Sequence, residues 1–235
     1  PNRKPSNNLS TKAKIVICSN SYPYGKKIIE SKKNVDEALK ENKTVEHVIV
    51  VERIKNNTND TNFYANDTNI RIKYIKWHDL VAKQSSICPT EMMESSDPAF
   101  ILYTSGTTGK PKGIIHGHGG YMVGIYATLK YVFDIQSDDI FWSTADAGWI
   151  TGHSYILYAP LINGITTFVY EGTPDFPDIE VWWRLIDRYK ITKFYTAPTA
   201  VRALMKFGEE HLKKYDLSSL KILGSVGEPI NPEAW

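Results

Sequence analysis

Cysteine, net charge and long apolar runs are what this sequence has least of. Only Cys18 and Cys88 occur among 235 residues, far apart and without Cys-x-x-Cys spacing. That argues against a disulfide framework and against a cysteine-built zinc site. Positive and negative side chains nearly cancel, with 28 Lys and Arg against 26 Asp and Glu and a formal charge of +2. Neither nucleic acid nor a membrane is therefore the expected partner. No apolar run approaches the length of a bilayer span, and the opening Pro1-Asn2-Arg3-Lys4 has no apolar stretch behind it. The expectation is a soluble, unsecreted chain, cytoplasmic or partly nuclear, with free thiols.

The remaining composition is globular, 42% hydrophobic and 23% charged, and sufficient for a sizeable core. Residues 1–13 are polar and rich in Pro, Asn and Ser and read as a flexible entry. Residues 56–69 are Asn-rich and too poor in apolar side chains to pack, which predicts a loop insertion in a domain running over 14–235. KIVIC (14–18), a helix from Ser31 with Val35, Ala38 and Leu39 on one face, and VEHVIVV (45–51) read as β-α-β. Further on, FILYTS (100–105) and GIIHGH (113–118) read as strands joined by a Gly-rich loop. Met122, Ile125, Tyr126, Leu129, Val132 and Phe133 recur at helical spacing, predicting one buried helix face. ITTFVY (165–170), a helix with Trp182, Trp183, Ile186 and Tyr189, KFYT (193–196), a helix over Pro198–Gly208 and LKILG (220–224) continue the alternation. The fold class predicted is α/β. Asn231-Pro232-Glu233 reads as the start of a helix that the chain does not finish, so further chain is expected beyond Trp235.

The strongest local signal is Thr104-Ser105-Gly106-Thr107-Thr108-Gly109-Lys110-Pro111-Lys112-Gly113. Glycines let main chain approach an anion closely, while hydroxyls, N–H groups and two lysines supply donors, which suits a polyphosphate. It is not a Walker A loop: two residues separate Gly106 from Gly109-Lys110, and Pro111 follows the lysine. His116 and His118 would share one side of a strand, but no third ligand lies near them and a metal site is not expected. Trp182 and Trp183 read as core rather than as an aromatic platform.

TSGTTGKPKG resembles the phosphate loop of adenylate-forming enzymes, the superfamily of acyl-CoA synthetases, luciferases and peptide-synthetase adenylation domains. Within it, FILYTSGTTGKPKG (100–113), KYVFD (130–134), TADAGWITGHSY (144–155), YTAPTAVRALM (195–205) and LGSVGEPINPEAW (223–235) are similar to the acetyl-CoA synthetases. KKNVDEAL (32–39), VEHVIVV and WHDLV (77–81) extend the likeness upstream. It implies part of a large N-terminal domain with mixed β-sheets flanked by helices, lacking the small C-terminal domain. It also implies a ligase that uses ATP, accompanied by Mg2+, to join acetate to coenzyme A through acetyl-adenylate.

By the same resemblance, Thr104, Ser105, Gly106, Thr107, Thr108, Gly109, Lys110 and Lys112 would hold phosphates, and Gly227, Glu228 and Pro229 would line the adenine site. Trp149, Ile150, Thr151 and Val226 would border the acetate, and Ala197 and Lys27 would meet coenzyme A. Tyr24 stands where the family carries an Arg, losing its bidentate fork, so no coenzyme contact is expected there. Other readings remain open on the residues alone. Thr151 suits a helix N-cap, and Glu228-Pro229 suits a plain turn. A propionyl-CoA or other short-chain acyl-CoA synthetase, or a noncatalytic nucleotide-binding module, would retain the same loop. As it stands, the 235-residue chain is expected to be inactive.

Overall fold

The computed structural model describes residues 12–54, 72–104 and 111–234. The Asn-rich stretch 56–69, Ser105–Lys110 and nearly all of the entry segment 1–13 lie outside these residues. The chain divides into two compact units, Pro1–Glu91 and Met92–Trp235.

The first unit is a parallel sheet, ordered β1 (Ile15–Ser19), β4 (His47–Val51), β5 (Lys73–Lys76), with a hairpin of β2 (Tyr22–Tyr24) and β3 (Lys27–Ile29). After His47 the central strand is an unbroken β-branched run, Val48-Ile49-Val50-Val51, as suits a strand covered on both faces. Its neighbour β1 alternates: Val16 and Cys18 pack inward while Ile15 and Ile17 are exposed. Helix α1 (Ser31–Leu39) closes this core with Val35 and Leu39. Burial pushes the Cys18 thiol up to about 11 and keeps it protonated. Helix α2 (Trp77–Val81) follows β5.

The second unit opens with an antiparallel pair, β6 (Pro98–Thr104) and β7 (Lys112–Gly117), leading into α3 (His118–Val132). A parallel four-stranded sheet follows, in the order β11 (Ile222–Ser225), β10 (Lys193–Thr196), β8 (Ile140–Ser143), β9 (Thr166–Phe168). Between β8 and β9 run α4 (Ile150–Gly152), a π-helical stretch His153–Tyr158 and α5 (Ala159–Ile162). Helix α6 (Val181–Tyr189) precedes β10, and α7 (Pro198–Met205) precedes β11.

Period-two alternation sends these strands' side chains to two cores. Phe141 joins Ile125, Leu129, Phe133, Ala159 and Ile165 on one face, with Tyr195 against them. Trp142 and Phe194 join Val181, Trp182, Ile186 and Leu204 on the other, with Trp183 against them, so both tryptophans of α6 are core as expected. The chain moves one way from β8 to β9 and then reverses across β8 to β10. A constant crossover handedness requires the connecting helices to change faces at that reversal, and the two cores show that they do.

Three expectations are corrected. The buried face of α3 is narrower than the apolar spacing implied: Ile125, Leu129 and Phe133 are buried, whereas Met122, Tyr126 and Val132 are exposed. This helix is apolar around most of its circumference, so periodicity alone does not select the packed side. His118 is not on a strand with His116 but begins α3. The helix after Pro198 ends at Met205, ahead of Gly208, whose φ is +76°.

The π-helical stretch has a local cause. Pro160 has no N–H to offer the Ile156 carbonyl, and Thr167 Oγ1 on β9 donates to that oxygen at 2.9 Å instead. Among the described residues no helix is long and apolar enough to cross a membrane.

Candidate functional site

In a parallel sheet whose order reverses, the loops at the carboxyl ends of the strands on either side of the reversal separate and leave a crevice. Here those strands are β8 and β10, and eight of the residues singled out in the sequence follow them or β11. Trp149, Ile150 and Thr151 come after β8, Ala197 after β10, and Val226, Gly227, Glu228 and Pro229 after β11.

The loop after β8 is closed by Asp146, whose side chain accepts from the Gly148 N–H at 2.6 Å and whose carbonyl accepts from the Trp149 N–H at 3.0 Å. His153 Nδ1 lies 2.5 Å from the Ala147 carbonyl. Gly152 permits this packing, because a Cβ there would sit 2.0 Å from the Asp146 carbonyl oxygen. The result presents Trp149, 63% exposed, at the N-cap of α4 with Ile150 beside it. Thr151 lies inside α4, which overturns the N-cap alternative.

Across the reversal, the Thr144 and Thr196 hydroxyls pair at 2.7 Å, and the Thr144 N–H donates to the Tyr195 carbonyl at 3.0 Å. The Val226 N–H donates to the Thr196 carbonyl at 3.0 Å, fixing where the strip after β11 departs. Gly227 then takes φ +93°, a conformation that favours glycine. Glu228 is drawn onto α7: its Oε1 accepts from Thr199 Oγ1 and, at 2.9 Å, from Arg202 Nη2. Hydrogen bonding from Thr199, followed by that from Arg202, holds its carboxyl below the usual range. Pro198 occupies the first turn of α7, with Ala197 as its N-cap.

The phosphate-loop residues divide. Thr104 and Lys112 face each other as the last pair of β6 and β7. Ser105, Gly106, Thr107, Thr108, Gly109 and Lys110 lie outside the described residues. Their strand stem is anchored by Phe100, which stacks on His116 at 4.7 Å and meets Tyr121 at 4.8 Å and His153 at 5.2 Å. The stem and the helical segment carrying Trp149–Thr151 thus share one aromatic cluster. Lys27 opens β3 in the first unit, opposite Tyr24. Among the described residues no three His, Cys, Asp or Glu converge as metal ligands.

Reading the sequence did not single out Thr144, Thr196, Thr199 or Arg202. Thr199 and Arg202 are three apart on a helix, a spacing that places them on one face. Their partner Glu228 lies 26 or more positions away, where no local pattern reaches.

Comparison with known proteins bears on the family and the fold. A family model described as AMP-binding enzyme matches residues 9–235. The chain belongs to the AMP-binding enzyme family. Among the relatives of this family member, the acetyl-coenzyme A synthetase of Gemmatimonas aurantiaca is 49% identical over 222 residues, covering 94% of this chain and 34% of that protein. That of Pasteurella multocida is 51% identical over 224 residues, covering 95% and 33%. A solved acetoacetyl-CoA synthetase from Streptomyces lividans superposes with a TM-score of 0.77 at 27% identity, covering 95% of this chain and 32% of its own. The chain therefore spans about a third of the length of the relatives it matches. Its α/β architecture is that of an acyl-CoA synthetase.

Proposed function

We propose that this chain carries the nucleotide- and acid-binding part of an AMP-forming acetate–CoA ligase. Acetate oxygen attacks the α-phosphorus of ATP, forming acetyl-adenylate and releasing pyrophosphate. The thiol of coenzyme A then attacks the acetyl carbon, losing its proton and displacing AMP. The observation that carries the reading is the gathering of Trp149–Thr151, Ala197 and Val226–Pro229 at one edge of the parallel sheet, around its reversal. Relatives named for acetate are about half identical to this chain, against 27% for the one named for acetoacetate, which favours the two-carbon acid.

In this reading the segment Thr104–Lys112 binds the β and γ phosphates, and Gly227–Pro229 lines the adenine. Trp149, Ile150 and Val226 wall the acetate methyl, and Thr151 donates to its carboxylate. Ala197, and more remotely Lys27, serve coenzyme A. Mg2+ would arrive bound to ATP phosphates; the described residues offer no ligand set for it, and no step is assigned to it.

The test is acid-dependent exchange of labelled pyrophosphate into ATP by the protein as the cell makes it, with acetate, propionate and butyrate in parallel. One methylene is worth about 1–3 kcal/mol in a pocket, so acetate should exceed propionate by roughly tens to a few hundredfold. Exchange should be lost on replacing Thr107, Thr108 and Lys110 together. ATP binding without exchange for any short acid would refute the ligase reading in favour of a noncatalytic module.

A further inference from the structure

We propose that Arg202 and Thr199 are positioning residues of the nucleotide site. By gripping the Glu228 carboxylate and the Asn231 side chain, they turn the main chain of Gly227–Pro229, rather than that carboxylate, toward the base. The inference rests on the assignment of this strip to the nucleotide. Glu228 Oε1 is shared by the Thr199 hydroxyl and by Arg202 Nη2 at 2.9 Å, while Arg202 Nη1 reaches Asn231 Oδ1 at 3.5 Å. One guanidinium therefore holds the strip on both sides of Pro229 and Ile230, a span that the planar fork of arginine can bridge and a lysine ammonium cannot.

The strip needs such a tether. It leaves β11 through Gly227 at φ +93°, and glycine restrains its neighbours least. The tether is anchored on a helix whose start is set by Pro198 and which follows directly from β10, so the strip inherits the rigidity of the sheet. The pairing also neutralises a carboxylate beside a site that a polyanion must enter, where a bare negative charge would oppose binding. Glu228 is thus a strut, and recognition of the base falls to the N–H and carbonyl groups of residues 227–229.

The experiment measures pyrophosphate exchange by the protein as the cell makes it, comparing wild type with Arg202→Ala, Arg202→Lys, Thr199→Val, Glu228→Gln and the Arg202→Ala/Glu228→Gln double variant. Losing a charge-assisted hydrogen bond should raise the KM for ATP about tenfold in Arg202→Ala and about threefold in Thr199→Val. The KM for acetate and kcat should stay within about twofold, since the contact acts on nucleotide binding. Arg202→Lys should recover part of the loss, because the ammonium reaches Glu228 but not Asn231 as well. The double variant should lose no more than Arg202→Ala, as expected for two residues acting through one contact.

An unchanged ATP KM in Arg202→Ala would overturn the proposal. So would equal increases in both KM values, which mark general disruption, or additive losses in the double variant, which mark direct contact between Glu228 and nucleotide. Absence of acid-dependent exchange in the wild type would instead remove the underlying functional reading, and this inference with it.

Discussion

At the amino ends of β8, β10 and β11 the second unit's sheet closes on charge. Lys193, 3% exposed, lies 3.6 Å from the equally buried Asp139, with Lys221 at 3.8 Å on the other carboxylate oxygen. Asp139 Oδ2 also accepts the Gln136 N–H at 2.8 Å, and Lys193 Nζ donates to the Asp134 carbonyl at 3.3 Å. The carboxyl ends of the same strands carry paired threonine hydroxyls, glycines and half-exposed side chains. Strand geometry cannot account for the difference, since the strands are shared. One end buries a carboxylate among cations, with Asp139 Oδ1 left without a hydrogen bond among the described residues, whereas the other carries exposed main chain and side chains. The buried charges and the candidate site thus occupy opposite edges of one sheet.

The largest test removes the buried cation. Lys193→Met would leave Asp139 buried without its closest charge and should cost about 3–5 kcal/mol in urea unfolding, without altering which acid is preferred. A cost no greater than that of an exposed pair would show that this end is not closed by charge.

At the opposite end, Gly152→Ala should cost about 3 kcal/mol, because its Cβ must displace the Asp146–Ala147 backbone rather than a flexible side chain. The same change should weaken acetate use, since it moves the loop presenting Trp149. Unaltered acetate KM in a destabilised variant would separate that loop from the acid pocket.

Thr167→Val probes the sheet's edge between the two ends. Losing the hydroxyl that serves the Ile156 carbonyl should cost about 1–2 kcal/mol. A cost near zero would mean that the π-helical stretch does not depend on β9.

The gentlest test lies outside both ends, at Glu180, which accepts from Lys214, Tyr215 and His211. These hydrogen bonds, Lys214 first, bring its pKa from 4.5 to about 2. A folded pKa below the unfolded one means that the contribution is complete above the unfolded value and is lost as pH falls through the folded value. Melting temperature should therefore fall between pH 4.5 and about 2, and Glu180→Gln should flatten part of that slope.

The alternation of β-branched runs with amphipathic helices was legible, because period two and period 3.6 are written locally, as in HVIVV and in Trp182–Ile186. The segments singled out as a candidate site, Trp149–Thr151 and Val226–Pro229, are contiguous chain, and the structure places them after the carboxyl ends of β8 and β11. Legibility failed for α3, where apolar residues surround the helix and no periodicity distinguishes the side that meets Phe141 from the side that does not. For Thr151 the residue type left a cap open as an alternative, and the turn at Asp146 sets Trp149 as the cap instead.

By itself the sequence determined the α/β class and the glycines that permit close approach, since these depend on local propensity and backbone freedom. Tertiary structure alone decided that β8 and β10 adjoin at the reversal, that Lys193 and Asp139 are buried together at the far end, and that Arg202 reaches across the chain to Glu228. Those are pairings between residues 26 to 54 positions apart, and only strand order brings such positions within bonding distance.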